Sequence, residues 1–154
     1  MVGEIICVGT ELLLGDIVNT NAAYLSAQLS ELGINLYNQT VIGDNPARLA
    51  KSVTSALKNC DIVILTGGLG PTSDDITKET VAQLLGLKLI ENKQILLDIE
   101  NYFARQSRAV PAGVTKQALV PEGATVLKND FGTAPGLLVE SDGKKIILLP
   151  GPPR

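Results

Sequence analysis

Short unbroken apolar runs alternate along the chain with longer stretches of helical spacing. Glu4 to Val8, Ile34 to Val41 and Ile62 to Thr66 read as strands. The last has no polar alternation, which suits a central parallel strand covered on both faces. Ala22 to Leu32 sets Leu25, Leu29 and Leu32 on one helical face, after the polar cluster Asn19-Thr20-Asn21 and before Gly33. Pro46 to Lys58 repeats Leu49, Val53 and Leu57 at i, i+4, i+8, with Asn45 as N-cap and Pro46 at the first helical position. A further helix carries Val81, Leu84 and Leu85 and stops at Gly86. This β-α-β-α-β-α order predicts a parallel sheet with right-handed crossovers.

Beyond Gly86 the pattern changes. Leu87 to Ile90 reads as a short strand, and Asn92 to Gln106 as a helix with Ile95, Ile99 and Phe103 inward. Val114 to Leu119 adds a helical turn between Pro111 and Pro121. Ala124 to Leu127 and Leu137 to Glu140 read as strands, and Ser141-Asp142-Gly143-Lys144 is a hairpin turn into Lys145 to Leu149. The sheet is therefore expected to be mixed. Leu12-Leu13-Leu14 is an unusually apolar connection, expected to fold over the core or a neighbouring subunit. The run Pro150 to Arg154 reads as a strand-end loop with no helix after it. The expectation is one domain, residues 1–154, cut from a longer protein.

Composition narrows the chemistry. The 154 residues suffice for one core, and 45% are hydrophobic. Aromatics make up 3%, Trp is absent and the net charge is −3, which argues against a nucleic-acid or anionic membrane partner. With no histidine, imidazole bases, His triads and His-ligated zinc are excluded. Cys7 and Cys60 form no CxxC and read as buried thiols of a reducing cytoplasm. The first ten residues lack a signal-peptide pattern, and no apolar run reaches transmembrane length.

The densest candidate chemistry lies in Cys60 to Glu79, CDIVILTGGLGPTSDDITKE. A strand runs into Gly67, Gly68, Gly70 and Pro71, then Thr72 to Asp75, then a helix. Glycines bring backbone N–H groups close to a ligand, and the helix is expected to offer its positive end to an anion. The loops Gly9 to Asp16, Gly43-Asp44-Asn45 and Gly67 to Asp75 all follow predicted strands, so they are expected at one sheet edge. That draws Glu11, Asp16, Asp44, Asp74 and Asp75 towards one crevice, where acids can hold a hard divalent cation bridging to phosphate. Taken singly, Asp44, Asp74 or Asp75 is equally well explained as a helix start. The segment ends in no Gly-Lys-Ser/Thr, matches no GxGxxG, and the chain has no GxSxG. Lys128 to Gly136 is a shaped polar loop that either contacts a sugar or base or merely precedes the hairpin. Arg105, Arg108 and Lys116 read as solvated charge, with a phosphate contact as the alternative.

Four stretches, GTELLLGDIVNTNAAYLSAQLSELGI, TGGLGPTSDDITKETVA, GTAPG and LPGPPR, closely resemble the N-terminal domain of the CinA family. This domain is similar to the molybdopterin-binding group that includes the MogA/MoaB-like proteins. The resemblance implies a three-layer α/β/α sandwich with a mixed, mostly parallel sheet. It implies metal and catalytic roles for Asp75 and Asp44, with Mg²⁺, Mn²⁺ or Co²⁺ as the ion. Glu11, a carboxylate at a strand end before three leucines with little to do for packing, is their candidate partner from its position. Gly67, Gly68, Gly70, Pro71 and Thr72 match the phosphate-cradling turn, flanked by Thr66 and Asp74. Gly9, Thr10 and Asn21, the GTAPG residues Gly132, Pro135 and Gly136, and Pro150, Gly151 and Pro152 complete the expected ligand-binding set.

The activity so implied is metal-dependent hydrolysis of a nucleoside diphosphate sugar, as in ADP-ribose pyrophosphatases. The alternatives are a molybdopterin- or nucleotide-binding module without catalysis, or a dimerisation domain for a C-terminal nicotinamide mononucleotide deamidase absent from this chain. The expected partners are a phosphorylated small molecule, ADP-ribose-like or molybdopterin-like, and further copies of the chain.

Overall fold

The computed structural model describes residues 1–151. The strands are β1 (Val2–Val8), β2 (Asn35–Ile42), β3 (Ile62–Thr66), β4 (Leu89–Glu91), β5 (Leu119–Pro121), β6 (Thr125–Leu127), β7 (Gly136–Ser141) and β8 (Lys144–Leu149). The helices are α1 (Thr10–Leu14), α2 (Thr20–Glu31), α3 (Pro46–Asn59), α4 (Thr77–Leu84) and α5 (Lys93–Arg105), with a 3-10 turn at Val114–Ala118. The main sheet has the order β2-β1-β3-β8-β7-β6. Its first four strands are parallel, and β7 runs antiparallel to both β8 and β6. The expected mixed, mostly parallel sheet is therefore present.

Period-two alternation along the central strands feeds two separate cores. Ile5, Cys7, Ile62 and Ile64 face α2 through Ala22 and Leu29. Ile6, Val8, Val63 and Leu65 face the opposite layer, with Leu49 and Val53 of α3, Val81 of α4 and Ile95, Ile99 and Phe103 of α5. Helices on both faces make the three-layer α/β/α arrangement. The Asp142-Gly143 turn takes φ values of 49° and 73°, the left-handed pair that a two-residue hairpin needs.

Some expectations need correcting. Leu12 to Leu14 is not a loop but part of α1, with Leu14 72% exposed. Leu32 does not join the buried face of α2, because the helix ends at Glu31 and leaves it 73% exposed. The strand after Gly86 does not join the main sheet, and β4 instead pairs antiparallel with β5 in a separate ribbon. Three residues cannot show periodicity, so the partner of β4 was decided by packing alone. Among the described residues, no helix is long and apolar enough to cross a membrane.

Candidate functional site

β1 lies between β2 and β3, so the chain leaves β1 towards one neighbour and returns from β2 to the other. α2 covers one face and α3 the opposite face, which opens a crevice beyond the carboxyl ends of β1 and β3. β8 is parallel to β3 and brings Pro150 and Gly151 to the same edge. The resulting cavity is about 610 Å³ and is lined by Gly9, Glu11, Asn21, Asp44, Thr66, Gly67, Gly68, Gly70, Asp74, Asp75, Pro150 and Gly151. Cys7, Val8, Leu12, Ile17, Val18, Asn19, Thr20, Leu69 and Ala134 supply the rest of the wall around them.

The glycine turn is fitted tightly against the end of β1. Gly67 has φ 99°, and a Cβ there would stand 2.2 Å from the Val8 carbonyl oxygen, so no other residue fits. Its N–H donates to Leu149 O (3.0 Å) and its carbonyl accepts from the buried Thr77 hydroxyl (2.8 Å). The next three N–H groups, of Gly68, Leu69 and Gly70, have no acceptor among the described residues, and all three residues line the cavity. Successive unpaired amides of this kind bind anions. α4 contributes nothing to the wall. Its first residues, Thr77 and Lys78, are buried beneath the loop, and Thr77 N–H already donates to Gly68 O. The expected helix end is thus closed off, and the free amides at this edge belong to the loop.

Two walls carry the same acid device. Asp44 Oδ2 accepts from Thr10 N–H (3.0 Å) and the Thr10 hydroxyl (2.8 Å). Asp75 Oδ2 accepts from Thr72 N–H (2.9 Å) and the Thr72 hydroxyl. A Cβ on Gly70 would meet the Asp75 carboxylate at 2.5 Å, so a side chain there would displace the acid. Glu11 folds its carboxylate back over Gly9. Thr72 also holds the Asp74 carboxyl below its ordinary range, helped by Asp74's own backbone. One hydroxyl proton serves one acid at a time, while Thr72 N–H remains on Asp75.

Glu11, Asp44, Asp74 and Asp75 therefore share a crevice whose wall contains no Lys or Arg among the described residues. Among the described residues, no three His, Cys, Asp or Glu side chains converge closely enough to hold an ion by themselves. The donor set fits a hard cation only as a shared one, held by one or two carboxylates and completed by ligand oxygens and water.

The other expected site residues divide. Thr10 and Thr72 act through the aspartates they hold, rather than as part of the wall. Asn21 Nδ2 donates to Thr66 Oγ1 (2.8 Å) and to Gly151 O, and Thr66 Oγ1 donates to Pro150 O (3.2 Å). Both residues tie the crevice floor together. Pro71 and Asp16 do not line the cavity. Nor do Gly132, Pro135 and Gly136, which line neighbouring depressions while Ala134 of the same loop reaches the crevice. Pro152 lies outside the described residues. Cys7 and Cys60 are free and buried, and burial pushes both thiols upward in pKa.

Lys116 is the residue that sequence reasoning read wrongly. Its ammonium donates to Thr72 O (3.0 Å) and Asp75 O (2.7 Å) and pairs with Glu79 (3.4 Å). Forty residues separate it from that loop, so no local pattern signals the contact. Exposed Ile17 and Val18 were likewise unmarked.

The geometry defines an α/β domain with a strand-end crevice lined by loop amides and carboxylates. A family model described as a probable molybdopterin binding domain matches residues 4–154. A putative competence-damage inducible protein of Caldicellulosiruptor saccharolyticus is 60% identical over 153 residues, covering 99% of this chain and 37% of its own length. The solved structure of CinA from Thermoplasma acidophilum, described as of unknown function, superposes with a TM-score of 0.89. It is 35% identical, over 97% of this chain and 88% of that one. The molybdopterin biosynthesis enzyme MoaB of Thermus thermophilus shares the fold, with a TM-score of 0.64 at 18% identity over 99% of this chain and 82% of that one. The chain belongs to the molybdopterin-binding domain family, as the N-terminal domain of its CinA branch. It spans about 37% of the length of the curated relatives it matches.

Proposed function

We propose that this domain binds a phosphorylated small molecule of the pterin or nucleotide class in the crevice between β1 and β3. The observation that carries this reading is the run of unpaired N–H groups at Gly68, Leu69 and Gly70. The description of the matching family, and MoaB's as a molybdopterin biosynthesis enzyme, support the choice of ligand class. Amides alone would hold phosphate against four carboxylates, so a divalent ion shared with the ligand fits the wall better than phosphate by itself.

A second reading, hydrolysis of a nucleoside diphosphate sugar, draws on the paired aspartates. Asp44 and Asp75 each have one oxygen immobilised by a threonine, and the other oxygen has no hydrogen bond among the described residues. A bound divalent ion would neutralise the diphosphate and lower the pKa of a water molecule. With histidine absent, the carboxylates of Glu11, Asp44, Asp74 and Asp75 are the bases at the crevice among the described residues, and Asp44, Asp75 and Glu11 are the ones this reading assigns to taking the proton.

Calorimetry with ADP-ribose and with a pterin monophosphate, each with and without Mg²⁺, tests the first reading. Binding of either probe is expected, weakened about tenfold or more in Gly70→Ala through displacement of Asp75. Absence of heat with both probes under all conditions rejects it. For the second reading, AMP is expected from ADP-ribose with Mg²⁺, Mn²⁺ or Co²⁺ and none from Asp75→Asn. Binding without AMP leaves a binding module.

A further inference from the structure

The loop that carries Asp75 is held from behind by a segment far away in the chain. The 3-10 turn Val114–Ala118 follows α5 and packs beneath Leu69 to Asp75. Lys116 Nζ reaches the carbonyls of Thr72 and Asp75 at 3.0 and 2.7 Å, and the carboxylate of Glu79 at 3.4 Å. Two of its three N–H donors are taken by these carbonyls, Glu79 stands at ion-pair distance, and Lys116 does not line the crevice wall.

The turn is itself braced. Lys78, buried in the first turn of α4, donates to Lys116 O at 2.8 Å. Gln117 Nε2 points to Leu69 O at 3.4 Å. The two carbonyls that Lys116 grips belong to the very residues that form the Thr72–Asp75 bond. Swinging either peptide would break that bond and turn the Asp75 carboxylate away from Gly70.

We propose that Lys116 is a positioning residue, which sets the Asp75 carboxylate at the crevice wall by clamping the backbone on both sides of the Thr72–Asp75 unit. This rests on the binding reading above for its consequence, but not for its geometry. Lys116 stands outside the crevice wall and acts through Asp75.

The test compares wild type with Lys116→Met, which keeps the aliphatic stem, and with Lys116→Arg, which keeps the charge but whose planar fork does not reproduce the ammonium's grip on both carbonyls. Two quantities are read at a temperature where melting curves show every protein folded. One is amide exchange protection at Thr72, whose N–H donates to Asp75, against that of β1 and β3. The other is affinity for ADP-ribose with Mg²⁺. In Lys116→Met, Thr72 is expected to lose protection while β1 and β3 keep theirs, and affinity to fall about tenfold. Lys116→Arg is expected to change both in the same direction by less, and it carries the test if the Met variant does not fold. Unchanged Thr72 protection, or unchanged affinity despite lost protection, overturns the proposal. If wild type binds no ADP-ribose, the binding reading of that probe fails, and the exchange comparison alone decides whether Lys116 sets Asp75.

Discussion

Thr10 and Thr72 each hold an aspartate through both hydroxyl and backbone N–H, on opposite walls of one crevice. A carboxylate with one oxygen fixed presents the other in a defined direction, which costs less entropy on binding than ordering a free side chain. Beneath this surface, Lys78 is 4% exposed and has only Lys116 O as a hydrogen-bond acceptor among the described residues. Burial pushes its pKa down, and the nearby charge of Glu79 only partly opposes this. Its folded pKa therefore lies below its unfolded one. Between the two values the unfolded chain binds more protons, so stability rises with pH there. Below the folded value the full cost of burying the charge remains. Wild type is expected to gain on Lys78→Met as pH climbs from neutrality towards the ordinary lysine range. Thermal melts of both proteins across that range measure this, and a constant difference contradicts it.

Among elements, those bounded by strong local chemistry were legible in the sequence. α3 starts where expected because Asn45 Oδ1 accepts from Arg48 N–H (3.0 Å) and Pro46 needs no donor. Asn45→Ala is expected to cost about 1 kcal/mol, read as a lower urea midpoint at unchanged slope. Because Asn45 adjoins Asp44, an effect above about 2 kcal/mol would show that the cap also supports the acid wall. β3 was legible to the residue, since five buried positions admit no polar alternation. α1 was not, because five residues bounded by glycines carry too little periodic signal. The GTAPG stretch was legible as a motif but misjudged in reach. Only its Ala134 turns into the crevice, and a loop's path is set by what it packs on.

Across the whole molecule, the site couples to stability. The crevice draws residues from α1, α2 and the ends of β1, β2, β3 and β8, so an occupant bridges one helical layer and the sheet. A ligand that binds only this assembled state stabilises it by mass action. With ADP-ribose and Mg²⁺ at about a hundredfold over Kd, the gain expected is about 2.7 kcal/mol, read as a raised melting temperature. No shift at that concentration speaks against binding at this crevice.

The sequence by itself determined the strands of the main sheet, the cap of α3, the parallel half of that sheet and the acids and glycines collected at its edge. It did not show β5, where Leu119 was read into a helical turn. Each feature it did determine depends on neighbours a few residues apart, through periodicity, capping or backbone freedom. Only the tertiary structure decided which of those residues face one another. It paired β4 with β5, left Glu11, Asp44 and Asp75 too dispersed for a cage of their own, and turned Gly132, Pro135 and Gly136 away from the crevice. It also set Lys116 behind Asp75. Contacts between residues some forty positions apart depend on how layers close over a shared core, and no local pattern encodes that closure.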